Sequence, residues 1–90
     1  MVLRIERVSH GQVITIRLSG RLQSEHVEYL QTEIAAAGTR VILDLDEVKL
    51  VDREVVLFLS ACEAKGIEIN PCPRYIREWI ARERVGRSDS

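Results

Sequence analysis

Long apolar runs, a cysteine framework and glycine-rich phosphate loops are all missing from this 90-residue chain, and each absence removes a class of function. No segment approaches the roughly 20 consecutive apolar residues that span a bilayer. Contact with a membrane would therefore have to pass through a partner. The two cysteines, Cys62 and Cys72, are too few for a disulfide scaffold, and the first residues show no apolar run or small-residue cleavage pattern of a secretion signal. A reducing cytosol is the expected compartment. His10 and His26 have no cysteine or carboxylate at ligand spacing, so no metal site is expected, and without a Walker loop or Gly-x-Gly-x-x-Gly no cofactor is expected either. Aromatic residues make up 4% of the chain, which leaves no stacking platform beside Arg74, Arg77, Arg82 and Arg84. Glu78 and Glu83 dilute that basic run further, and nucleic-acid binding is not expected.

What the chain does contain is apolar periodicity. The apolar share of 46% in so short a chain makes one domain, residues 1–85, with a polar tail at 86–90. The formal net charge is −1, giving no global field toward polyanions, although five acids lie between Asp44 and Glu54 and five arginines between Arg74 and Arg87.

Alternation over Val2 to Val8 and again over Val13 to Leu18 predicts two strands, joined at Ser9-His10-Gly11-Gln12 as an antiparallel hairpin. Gly20 is expected to end the second. Ser24 can cap a helix with the stripe Val27, Leu30, Ile34 and Ala37, and Gly38 supplies a left-handed stop. The strand Val41 to Leu45 follows, then an acidic loop, then a helix from about Arg53 to Lys65 capped by Asp52. A short strand at Ile67 and Ile69 precedes Pro71, Cys72 and Pro73, and a last helix carries Ile76, Trp79 and Ile80. The order is β-β-α-β-α-β-α. Strands alternating with helices require parallel crossovers, the hairpin adds an antiparallel edge, and the polar face made by Arg4, Glu6, Thr15 and Arg17 sends the helices to the other side. The expected fold class is α/β, a mixed four-stranded sheet with three helices mainly on one face.

From Leu3 to Ile80 this resembles the STAS domain, the fold of bacterial anti-sigma-factor antagonists. The resemblance rests on the apolar strand at Val41, on Ser19-Gly20-Arg21-Leu22, which is similar to the family's Gly-Arg-Leu, and on the helix start. There the family signature Asp-Ser-Ser-Gly is replaced by Asp52-Arg53-Glu54-Val55. The resemblance implies a non-catalytic regulator of the bacterial cytosol that binds an anti-sigma factor or related signalling protein and acts on transcription. In the family a phosphoserine at this helix start breaks the complex, and Arg53 stands at that serine's position. No phosphorylation switch is therefore expected in its usual form. Arg53 is expected either to be neutralised by Asp52 and Glu54 or to reach an acidic partner. The resemblance equally admits the other STAS uses, as a structural subunit of a membrane-transport complex or as a self-associating scaffold such as a homodimer.

At 100° per residue the helix after Asp52 places Val55, Phe58, Leu59 and Cys62 on the core face. Arg53, Leu57, Ser60, Ala61 and Ala64 fall opposite, a strip with too little charge for a plain solvated face. Together with the helix start, the expected partner-binding residues are Asp52, Arg53, Glu54, Val56, Leu57, Ser60, Ala61 and Ala64. Ser60 is read as a solvated helix serine. The run Val41-Ile42-Leu43-Asp44-Leu45-Asp46 also resembles the first motif of haloacid dehalogenase phosphatases, in which paired aspartates serve as nucleophile and acid/base. The later acidic pair which that chemistry needs is missing, and Asp44 and Asp46 are expected to be solvated or to cap the loop.

Overall fold

The computed structural model describes residues 3–38 and 40–88, the last four as backbone only. Four strands, β1 (Arg4–His10), β2 (Val13–Leu22), β3 (Arg40–Val51) and β4 (Glu68–Ile69), form one sheet in the order β1-β2-β3-β4. Three helices join them: α1 (Val27–Ala37) after a 3-10 turn at Ser24–His26, α2 (Arg53–Ala64) and α3 (Arg74–Ser88). β1 runs antiparallel to β2, while β2, β3 and β4 are parallel. The fold is the mixed α/β architecture that the alternating periodicity predicts.

The hairpin turn is tighter than expected, because His10 already pairs with Val13 and only Gly11 and Gln12 remain, Gly11 at φ 65°. Val2 lies outside the described residues. Ile16 and Leu18 of β2 and Val41, Leu43 and Leu45 of β3 point to the helices and are buried with Leu30, Val55, Leu59, Ile76 and Ile80. Their neighbours on the open face form a row of ion pairs, Arg4–Glu6 at 3.1 Å, Glu6–Arg17 at 3.8 Å and Arg17–Asp44 at 3.5 Å. The alternation thus divides each strand between a core and a charged ladder.

Two expected boundaries are corrected. The acidic stretch after Leu45 is strand, not loop, and β3 continues to Val51 in parallel with a β2 that runs through Gly20 to Leu22. Between Arg17↔Asp44 and Leu22↔Val51 the register shifts twice, after Arg17 and after Gly20, each time adding a residue to β3. These bulges bring Leu45, Val48 and Val51 to the core at three-residue spacing, which hides the two-residue period of a strand. Gly20 takes φ 98° beside the second shift. At the other end of the chain α3 continues past Gly86 to Ser88, so the helix occupies the start of the expected tail; residues 89 and 90 lie outside the described residues.

Leu45→Ala removes a fully buried side chain from the centre of the sheet. Urea unfolding should show a loss of about 2 to 5 kcal/mol.

Candidate functional site

Asp52 sits at the junction where β3 gives way to α2, with extended backbone at φ −112° and ψ 176°. Its Oδ1 accepts the Val55 N–H at 3.1 Å and caps α2, while Oδ2 accepts the Ser24 N–H at 2.9 Å. One carboxylate therefore satisfies amides at the starts of two helical segments, both of them the positive ends of their dipoles. Ser24 does not cap its own turn. The preceding residue is Gln23, whose N–H donates to His26 Nδ1 at 3.1 Å, which makes that nitrogen an acceptor.

Arg53 follows the cap, and its side chain is 69% exposed. Neither neighbouring carboxylate neutralises it. The guanidinium turns toward α3, where Nε donates to Glu83 Oε1 at 3.3 Å, and the same carboxylate accepts the Trp79 indole N–H at 3.1 Å. Glu54 is exposed.

Further along α2 the expected binding face divides. Val56 is fully buried and Ser60 is only 8% exposed, so neither belongs to an accessible surface. α3 lies against this side. Arg84 Nε donates to Ser60 Oγ at 3.0 Å, and Glu63 pairs with both Arg77 and Arg84. The hydrogen bond to Glu63 holds the Arg77 guanidinium still higher than its ordinary range. A helical wheel gives the spacing of Val56 and Ser60 but not the place of a neighbouring helix. The pairing of Glu83 with Arg53 is hidden from a single-helix pattern for the same reason. What stays accessible on α2 is a strip from Arg53 and Glu54 through half-buried Leu57 to Ala61 and Ala64.

On its opposite flank α2 borders α1 across a groove of about 330 Å³ whose lining includes Ile34, Phe58, Ala61 and Ile67. Cys62 forms part of that lining, 4% exposed, and burial pushes its thiol up to about 11, with Lys65 pulling the other way. Cys72, in its proline bracket, is half-buried, and desolvation raises its thiol as well.

Asp44 and Asp46 line a small polar recess on the open face of the sheet with Arg17 and Glu47. Asp44 Oδ1 accepts the Asp46 N–H at 3.0 Å and its other oxygen pairs with Arg17, so the first carboxylate is committed to the ladder. Among the described residues no cluster of three His, Cys, Asp or Glu side chains could hold a metal ion, and no helix is long and apolar enough to cross a membrane.

No family model matches the chain, and no curated protein matches it in sequence. Solved structures do. The anti-sigma factor antagonist SpoIIAA in its unphosphorylated form is similar with a TM-score of 0.60 at 19% identity, over 99% of each chain. The phosphorylated form of the Bacillus cell fate determinant SpoIIAA gives 0.58 at 22% identity, over 94% of this chain and 86% of that one. Mglu gives 0.57 at 19% identity over 77% of this chain, which spans only 19% of the Mglu chain. Strand order, crossovers and these likenesses together define the fold as the STAS fold.

Asp52→Ala should lower the unfolding free energy by about 1 to 2 kcal/mol in thermal or urea unfolding, since two helical starts lose one acceptor. Cys62 gives a pH signature. Its thiol titrates near 11 when folded against 9.0 when exposed, so the stabilisation is full below pH 9 and falls as pH rises toward 11. The difference in stability between the native chain and Cys62→Ala should therefore shrink over that interval, at up to about 1.4 kcal/mol per pH unit.

Proposed function

We propose that this chain is a non-catalytic STAS-type interaction domain that binds a protein partner through α2 and carries no serine phosphorylation switch at the helix start. The observation that carries this reading is the accessible strip of Leu57, Ala61 and Ala64 beside Arg53. A helix face open to water ordinarily carries charge along its length, whereas this strip presents methyl and isobutyl groups framed by Arg53 and Glu54. Small side chains let a partner's backbone or helix approach closely, and the half-buried Leu57 offers an apolar anchor.

The fold supports a partner of the anti-sigma-factor class, because SpoIIAA, similar over its whole length, is an anti-sigma factor antagonist with unphosphorylated and phosphorylated forms. In that setting the domain acts in the bacterial cytosol on transcription. Its control differs. Arg53 occupies the position that the STAS signature gives to the phosphoacceptor, offers no hydroxyl, and is held toward α3 by Glu83. Ser60, the nearest hydroxyl on α2, is covered by Arg84 and is closed to a kinase. Binding is then governed by the amounts of the two proteins and not by a phosphate.

The double variant Leu57→Glu with Ala64→Glu should keep its circular dichroism spectrum and lose at least about tenfold in capture of an anti-sigma factor, the scale of a hot spot. Unchanged capture would remove the strip from the interface. Incubation of the native chain with an anti-sigma-factor kinase and ATP should leave its intact mass unaltered, and a gain of one phosphate would contradict the reading.

A further inference from the structure

The groove between α1 and α2 exists because the helix edges facing each other are lined by small side chains. Ala35 and Ala61 stand there as exposed methyls where longer side chains would close the gap, and Phe58, Ile34 and Ile67 form a half-buried apolar floor. The Cys62 thiol is protonated at neutral pH and behaves as one more small apolar group. The volume of about 330 Å³ lies at the small end of ligand pockets, which are mostly apolar with a few placed polar groups.

Two polar side chains border this floor, Lys65 from the end of α2 and Gln31 from α1. Among the described residues neither has a hydrogen-bonding or ionic partner, in contrast to Arg7, Arg53 and Arg77, which are all in ion pairs. Nor is the ammonium needed by the helix end. The last carbonyls of α2 already accept backbone N–H groups, Glu63 O from Gly66 at 3.0 Å and Cys62 O from Ile67 at 3.0 Å. An apolar cleft with one unpaired cation and one amide at its border is complementary to a molecule with an alkyl body and a single anionic head.

We infer that the α1–α2 groove binds a medium-chain alkyl carboxylate, with the chain on Phe58, Ile34 and Ile67 and the carboxylate on Lys65 and Gln31. The groove shares Ala61 with the accessible strip, but Leu57 and Ala64 lie outside its lining and Ala35 lies outside the strip, so variants at those positions let each site fail without the other. A short chain suits the limited volume, and a carboxylate needs no more than the one cation and one amide donor present.

The test is a titration of the full chain with decanoate below its micelle threshold, followed by amide and methyl NMR, with decanol and decyltrimethylammonium as matched probes. Saturable shifts confined to Ile34, Phe58, Ile67 and their neighbours are expected, and they should persist in the Leu57→Glu, Ala64→Glu variant. Lys65→Glu should weaken decanoate about fivefold or more while leaving decanol unchanged, the scale of an exposed charge contact reversed. Ala35→Trp, which fills the groove from an exposed position on α1, should remove binding of both without unfolding the chain. Shifts that never saturate, or decyltrimethylammonium binding as tightly as decanoate, would overturn the assignment. So would a dimer in sedimentation that Ala35→Trp dissolves, which gives the groove to a second copy, or loss of a captured protein in Ala35→Trp without any decanoate binding, which gives it to that protein.

Discussion

The Asp52 carboxylate is the contact on which the joined starts of the first two helical segments depend. It accepts from Val55 at the start of α2 and from Ser24 at the start of the turn leading into α1. These segments follow different strands, β2 and β3, and the carboxylate ties their first turns together. Because amides at both positive helix ends converge on one negative group, the bonds are charge-assisted, and separating the two starts would leave one set of orphan donors unsatisfied. This junction fixes where α2 begins, and the buried Val55, Val56 and Leu59 hold the helix on the core, which together place Leu57, Ala61 and Ala64.

α3 then decides which part of α2 reaches solvent. Ile76 and Ile80 are buried and supply the attachment, since exposed ion pairs contribute little by themselves. The charges set the alignment: Arg53 with Glu83, Arg77 and Arg84 with Glu63, and Arg84 with Ser60 are arranged along the seam between the two helices. α2 is consequently divided lengthwise into a flank against α3, a flank over the core and the α1 groove, and a narrow accessible strip. Arg53, in the first turn of α2, belongs to the seam, where its guanidinium reaches Glu83 across a gap that a short side chain could not span.

Much of this could be read from the residues. Gly38 at φ 62° ends α1 where expected, Asp52 caps α2, and the alternation of Ile14, Ile16 and Leu18 correctly assigned the two faces of β2. Such features are local, dictated by one residue's backbone freedom or by a period within one element. What could not be read depends on neighbours distant in sequence. The second half of β3 looked like an acidic loop because two bulges break its period, and bulges arise from pairing with β2. Val56 and Ser60 looked accessible because a wheel drawn for one helix knows nothing of the next. Ser24 looked like a cap because its type favours that role, yet Asp52, 28 residues away, takes its N–H. The groove beside Ala61 was equally hidden, since small residues on α1 and α2 acquire meaning only once those helices lie side by side.

The start of α2 is thus a structural junction held by the two bonds of Asp52. Amide hydrogen exchange in Asp52→Asn tests them separately. Either face of the side chain can carry the amide oxygen, but only one can, so one acceptor is kept and the other becomes a donor facing an N–H. Exchange should accelerate by about tenfold or more at one of Ser24 and Val55 while the other stays close to native, the scale of one lost hydrogen bond. Native protection at both amides would contradict the account, because it would mean that the carboxylate does not join the two helix starts.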